Sequence, residues 1–405
     1  MNRIAELYVK LVLSVGQHDA DYVDAYFGPE EWRTEVQLAK KSLPRVKSDA
    51  ELLLVELAHF KISGTEELIQ LRHKYLTKQL QSLIARAEFL GGKKLTFDDE
   101  AEALYDVQPP HWSLDQFGEI LRQIDILLPG KGTLIQRYED YKKKFIIPPN
   151  KLSEVFTAAI SECRARTKKH IELPARENFD VEYVTKKSWS GYNWFKGNSY
   201  STIQVNTDLP IYIDRAVDLA AHEGYPGHHV YNSLLEEAMV RGKKWSEFSV
   251  YALFSPQSMI AEGTANFGIE VAFPGKERLE FERRVLFPIA DLDQEAVEEY
   301  YKLFDLVSKL TYASNEAARR YVDGLSSRDE TVLWLMDYAL MPKERAEQRV
   351  KFFDQYRSYV INYNVGLDLV RNYIERRGGT ADNAAKRWEE FTQLLSSPRV
   401  PSGLT

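Results

Sequence analysis

His222, Glu223, His228 and His229 lie within one eight-residue run, His222-Glu223-Gly224-Tyr225-Pro226-Gly227-His228-His229, in a chain that has only 8 histidines. A histidine followed directly by a glutamate is the order used by hydrolytic zinc sites. There the imidazole binds the ion and the carboxylate faces the water that the ion activates. The second histidine of such a site ordinarily comes four positions after the first, ~40° around the helix axis and ~6 Å along it. Pro226 occupies that position here. On a straight helix His222 and His228 would differ by ~240°. His222 and His229 would share a face but stand ~10.5 Å apart, a long reach for two Zn–N bonds of ~2.0–2.1 Å.

Pro226 and Gly227 offer a way round this. Proline lacks the N–H that would bond the His222 carbonyl, and its ring crowds that carbonyl. Glycine accepts backbone angles that other residues avoid. Together they predict a bulge that loops out about two residues and returns His228 to an effective fourth position. His222 and His228 are therefore the candidate metal ligands, and His229 turns toward substrate or buttresses the ligands.

A third protein ligand leaves one position open for water. Glu262, in Ile260-Ala261-Glu262-Gly263-Thr264-Ala265-Asn266, is the candidate. Small residues on either side of it let two helices approach closely. Asn266, one turn on, is placed to orient a ligand. The competing reading of Glu262 is a solvated helix carboxylate. Glu223 would take a proton from water and return it to a leaving amine. The developing oxyanion needs a further donor. Tyr363, in the phenol- and amide-rich stretch Tyr359 to Gly366, is the first choice, against the commoner fate of a core aromatic.

These residues resemble the domain of unknown function 885 family. Its His-Glu-x-x-Pro-Gly-His core is matched by His222, Glu223, Pro226, Gly227 and His228. Its Glu-Gly-x-Ala is matched by Glu262, Gly263 and Ala265, and its Tyr-x-x-Gly by Tyr363 and Gly366. Two positions depart from the family: Thr264 replaces its usual Trp, and Asn364 replaces the Lys of its Tyr-Lys pair. The resemblance implies a large, mostly α, zincin-like fold (gluzincin, carboxypeptidase Taq type) with a deep cleft. It also implies one zinc ion and hydrolysis of peptide bonds, carboxypeptidase- or oligopeptidase-like. Two other readings stand beside it: a metal-dependent amidohydrolase acting on a non-peptide amide or small metabolite, and a non-catalytic metal- or peptide-binding protein.

The elements that must position this chemistry read as helices. Ser48 to Glu51 form a capping-box pattern that predicts a helix start, and a long amphipathic run extends from Glu66 to Phe89 before Gly91-Gly92. Further helices are predicted over Leu114–Leu128, Leu134–Phe145, Leu152–His170, Val230–Arg241, Val250–Val271, Lys276–Phe287, Gln294–Tyr321, Arg328–Leu340, Glu344–Arg376 and Ala381–Leu395. Between Val181 and Asn206 aromatic and β-branched residues near-alternate, which predicts a small sheet of two or three strands just before the metal helix. Its edge could hold an extended peptide, or it could be a plain hairpin.

No linker or repeat divides the 405 residues. The expectation is a single catalytic domain in which a helical N-terminal lobe (about 1–148) and a metal-site lobe (about 149–405) flank a cleft. Lys+Arg of 53 against Asp+Glu of 60, net −7, argues against nucleic acid as a partner. The expected partner is a peptide or small amide; the oligomeric state stays open. The single Cys163 fits a reducing compartment. No secretory leader or bilayer-length apolar run is evident, so a cytoplasmic protein without membrane contact is expected.

Overall fold

The structure is a computed structural model that describes residues 1–62 and 64–405. The chain is mostly helical, and the helix boundaries follow local chemistry. Glu67–Leu90 stops at Gly91-Gly92, where Gly92 turns the chain with φ +101°. Arg328–Ala339 starts at a full capping box of Ser327 and Glu330. The box expected at Ser48 does not form, because Ser48 lies inside a helix that already begins at Leu43, with Pro44 in its first turn.

Three predicted helices are shorter than expected. Gln294–Tyr321 is divided at Leu310 into Val297–Lys309 and Thr311–Val322. Glu344–Arg376 is divided near Arg357, whose φ of +50° no helix accommodates, into Lys343–Tyr356 and Ile361–Arg376. The helix expected from Val250 begins only at Pro256 and runs to Ala272. The residues before it form a strand.

Among the described residues there are five strands: β1 (Val23–Tyr26), β2 (Asn178–Val184), β3 (Gly191–Gly197), β4 (Tyr200–Asn206) and β5 (Val250–Ala252). The expected sheet has three strands in the order β2-β4-β3. β4 is parallel to β2 and antiparallel to β3, so β3 lies on an edge. The pair β1–β5 is a second sheet that the sequence pattern does not announce. Its register passes from Val23↔Ala252 to Ala25↔Tyr251, so Asp24 is the extra residue of a bulge.

Two large apolar cores meet at one helix. The first joins N-terminal residues such as Tyr8, Leu80 and Phe117 to Phe353 and Tyr359. The second gathers Phe145, Cys163, Val230, Phe287 and Phe391. Pro256–Ala272 gives Met259 to the first and Ile260 and Phe267 to the second. It crosses Ile361–Arg376 at Gly263 and Gly366. A Cβ on Gly263 would stand 2.4 Å from the Gly366 carbonyl oxygen, so only glycine permits this approach. Cys163 is fully buried, and burial pushes its thiol up. Among the described residues no helix is long and apolar enough to cross a membrane.

Candidate metal centre

The helix that carries His222 does not run through the motif. Asp214–Leu219 passes into a π-turn at Ala220–Gly224, closed by the Tyr225 N–H on the Ala220 carbonyl at 3.0 Å. The chain then leaves helical geometry at Tyr225 and Gly227 and restarts at His228 as the helix His228–Leu235. The interruption is therefore a wide turn plus a full break, not a bulge within one continuous helix. Gly227 is required for space. A Cβ there would lie 1.9 Å from the His222 carbonyl oxygen.

This break brings the two imidazoles edge to face, with ring centroids 4.7 Å apart and planes at 87°. Their Nε2 atoms are 3.1 Å apart. Glu262 Oε2 lies 3.1 Å from His222 Nε2 and 3.6 Å from His228 Nε2. His222, His228 and Glu262 thus form a compact donor triangle that buries both the His228 and Glu262 side chains. Glu262 Oε2 is buried and accepts no hydrogen bond among the described residues, although both nitrogens lie close to it. Two nitrogens and an oxygen ~2.0–2.1 Å from one tetrahedral centre would be separated by ~3.3–3.4 Å. The observed edges bracket that value, so the donor set fits zinc in both chemistry and size.

The surrounding contacts fix each donor. Asn266 donates from Nδ2 to the Tyr363 carbonyl at 2.8 Å, which leaves its Oδ1 to accept from His222 Nδ1 at 3.0 Å. That assigns the His222 proton to Nδ1 and frees the Nε2 lone pair. The Tyr359 hydroxyl donates to Glu262 Oε1 at 2.8 Å. Burial opposes ionisation of Glu262, but His228 and His222 hold its carboxyl far below the usual range. Burial likewise opposes protonation of His228, yet the Glu262 carboxylate raises it to about 9.

Glu223 is buried at the wall of the same cleft, and burial raises its carboxyl despite the two imidazoles. Edge strand β3 passes close beside it. A Cβ on Gly191 would meet Glu223 Oε1 at 3.0 Å and Leu219 Cδ2 at 2.6 Å. The cleft encloses about 1350 Å³ and is lined by residues from β1, β3 and the helices that carry His222, Glu262, Arg349 and Tyr363.

Tyr363 lines this cleft with its ring stacked against His222, centroids 6.4 Å apart. His229 goes elsewhere. It is buried on the opposite side, with Nδ1 2.9 Å from Ser201 Oγ and Nε2 3.2 Å from Glu177 Oε2, between the Phe179 and Tyr225 rings. It does not line the cleft and instead ties its helix to Ser201 of β4 and to Glu177. Tyr359, Arg349 and Asp24 are among the cleft residues absent from the sequence reading as site residues. Tyr359 lies within the stretch that was singled out. Arg349 gives no local signal. Asp24, aimed inward by the β1 bulge, accepts a hydrogen bond from Tyr192. Burial raises the Asp24 carboxyl to about 6.

No protein-family model matches the chain, and no curated protein does. Solved structures do. A candidate lipoprotein from Colwellia psychrerythraea superposes with a TM-score of 0.54 at 15% identity, over 89% of this chain and 68% of that one. This likeness shows a shared fold. Lower scores are found for the structure BsuCP (TM-score 0.48, 12% identity, 97% of this chain and 88% of that one). They are found too for an M32 carboxypeptidase from Deinococcus radiodurans R1 (TM-score 0.38, 12% identity, the same coverages).

Proposed function

We propose that the chain is a zinc-dependent hydrolase of peptide bonds. The observation that carries the reading is the unpartnered, buried Glu262 Oε2, converging with two imidazole nitrogens on a space of zinc dimensions. His222, His228 and Glu262 would hold the ion. When bound, zinc supplies Lewis acidity, which polarises a carbonyl and acidifies water.

The remaining chemistry belongs to the chain's own side chains. Glu223, whose carboxyl is raised by burial, would accept a proton from the attacking water at its carboxylate. It then returns that proton to the nitrogen of the leaving amine. The Tyr363 hydroxyl would donate to the oxyanion that forms on the substrate carbonyl, a reading supported by its place in the cleft beside His222. Edge strand β3, held against the Glu223 helix by Gly191, offers main-chain groups to an extended peptide. That favours a peptide over a compact metabolite.

The test is metal analysis together with Glu223→Gln. The purified protein should hold one zinc per chain, and the variant should keep it while losing turnover of a peptide library by about 10²–10⁴-fold. A protein that binds no zinc, or a variant that cleaves as well as the parent, overturns the reading.

A further inference from the structure

The helix Lys343–Tyr356 runs along the cleft and turns one face to it. Arg345, Arg349, Phe352 and Tyr356, spaced four, three and four residues apart, all line the cavity. Phe352 marks the level of the metal centre. Its ring lies 6.4 Å from Tyr359, which holds Glu262, and 6.2 Å from Tyr363, which stacks on His222. Arg349 is three residues to one side of that level, ~4.5 Å along the axis, and Tyr356 is four residues to the other, ~6 Å.

The two sides carry opposite, unsatisfied charge. Arg349 donates from Nε to Ser314 Oγ at 3.0 Å and lies over the Phe352 and Tyr363 rings at 4.9 and 5.9 Å. Among the described residues no carboxylate pairs with it. Arg345, one turn further out, donates to the Pro210 carbonyl and also lacks a carboxylate partner there. At the Tyr356 end the chain is tied to the N-terminal segment by Gln355, which donates to Asp21 at 3.0 Å. Asp24 follows. Its bulge points it into the cleft, Tyr192 of β3 donates to it, and its charge reaches His228, Glu262 and Glu223. Among the described residues no lysine, arginine or histidine pairs with Asp24. A guanidinium and a carboxylate left without counter-ions on opposite sides of a reacting centre specify a ligand that brings both charges with it.

We infer that the cleft recognises both ends of a short peptide, Asp24 taking the free α-ammonium and Arg349 the free α-carboxylate. The inference rests on the hydrolase reading above and names its substrate class. The ~10.5 Å along the helix between Arg349 and Tyr356, at ~3.3–3.6 Å per extended residue, accommodates two to about four residues. Arg345 would serve the longer members. Chain-internal sites of proteins are excluded from such a cleft.

The experiment uses trialanine with free ends, its N-acetyl form and its C-terminal amide. Binding to zinc-loaded Glu223→Gln is read by calorimetry, and cleavage by the parent protein is read by product analysis. Each blocking group should weaken binding about tenfold or more. Asp24→Asn should erase only the penalty for acetylation, and Arg349→Met only the penalty for amidation. Arg349→Lys, which keeps the charge, should retain part of the amide penalty. Cleavage should decline steeply beyond about five residues. Equal binding of free and blocked peptides overturns the inference, and so does a loss in both variants that ignores which end is blocked. Cleavage that is blind to the peptide ends would sink this inference and leave the hydrolase reading standing. End-selective binding without cleavage would do the reverse.

Discussion

His222 and His228 are six positions apart in the chain, yet their Nε2 atoms face one another at 3.1 Å. A straight helix would point them in different directions. The π-turn and the break at Tyr225 to Gly227 bring them to one point, so the motif depends on backbone geometry as much as on side-chain identity.

Gly227→Ala tests that dependence. The added methyl would sit 1.9 Å from the His222 carbonyl oxygen and 2.5 Å from that of Ala221, and neither backbone atom can yield without dismantling the turn. The variant should be destabilised by about 3 kcal/mol or more and lose zinc binding, read by thermal melts and metal analysis. Gly118→Ala, at a helical position with nothing within 4 Å of the new Cβ, is the control. It should stabilise by about 0.5–1 kcal/mol. Similar melts for the two variants would show that the turn tolerates a side chain.

Asn266→Ala removes the acceptor that fixes the His222 tautomer. The fold should survive, because the side chain lies at the cleft wall. Zinc affinity should fall by about 10–100-fold, measured by competition with a chelator. Unchanged affinity would mean that His222 is oriented by its own backbone alone.

Tyr359→Phe takes from Glu262 Oε1 its only side-chain donor among the described residues. A buried carboxylate oxygen is left unpaired, and the cost should be about 1–3 kcal/mol in a denaturant melt of the metal-free protein. A neutral result would indicate that water replaces the phenol.

Glu282 offers a test of pH dependence away from the cleft. Burial raises its carboxyl to about 7 from an ordinary value near 4.5, and Arg278, 2.9 Å away, opposes that without overcoming it. A folded-state value above the unfolded one gives stability that is complete below pH 4.5. That stability is lost as pH rises through 7, since only the unfolded state ionises over the interval. Glu282→Gln should flatten the decline between these values, an effect of at most about 3 kcal/mol. At low pH, where the folded carboxyl is protonated, the amide keeps an oxygen acceptor for Arg278 and stability should change little. Parallel pH profiles for the two proteins would contradict this account.

The donor residues were legible because each carries a local mark. His222 and His228 flank a Pro-Gly pair, and Glu262 stands beside a glycine that admits a second helix. Asn266 was legible for the same reason, being one helical turn from Glu262. The shape of the break was not legible. Proline and glycine announce an interruption without saying whether a bulge or a complete restart follows. Long helices were over-extended at Leu310 and Arg357, where the amphipathic pattern continues across a backbone that turns. Asp24 lay beyond reach altogether. Its place in the cleft depends on β1 pairing with β5, more than two hundred residues away, and on a bulge that no short window records. His229 is read as facing substrate or buttressing the ligands because a third histidine beside two candidate ligands looks chemical. Its observed neighbours, Ser201 and Glu177, come from distant segments that no short window joins to it.

Along the chain the cleft lining begins at Asp24 and ends at Arg387, with Tyr192, Glu223, Glu262, Arg349 and Tyr363 contributed in between. No short segment of the chain contains the whole of it. During synthesis the pocket therefore cannot assemble until the segment around Arg387 has emerged from the ribosome, and whatever reactivity it holds is withheld from the nascent polypeptide until then.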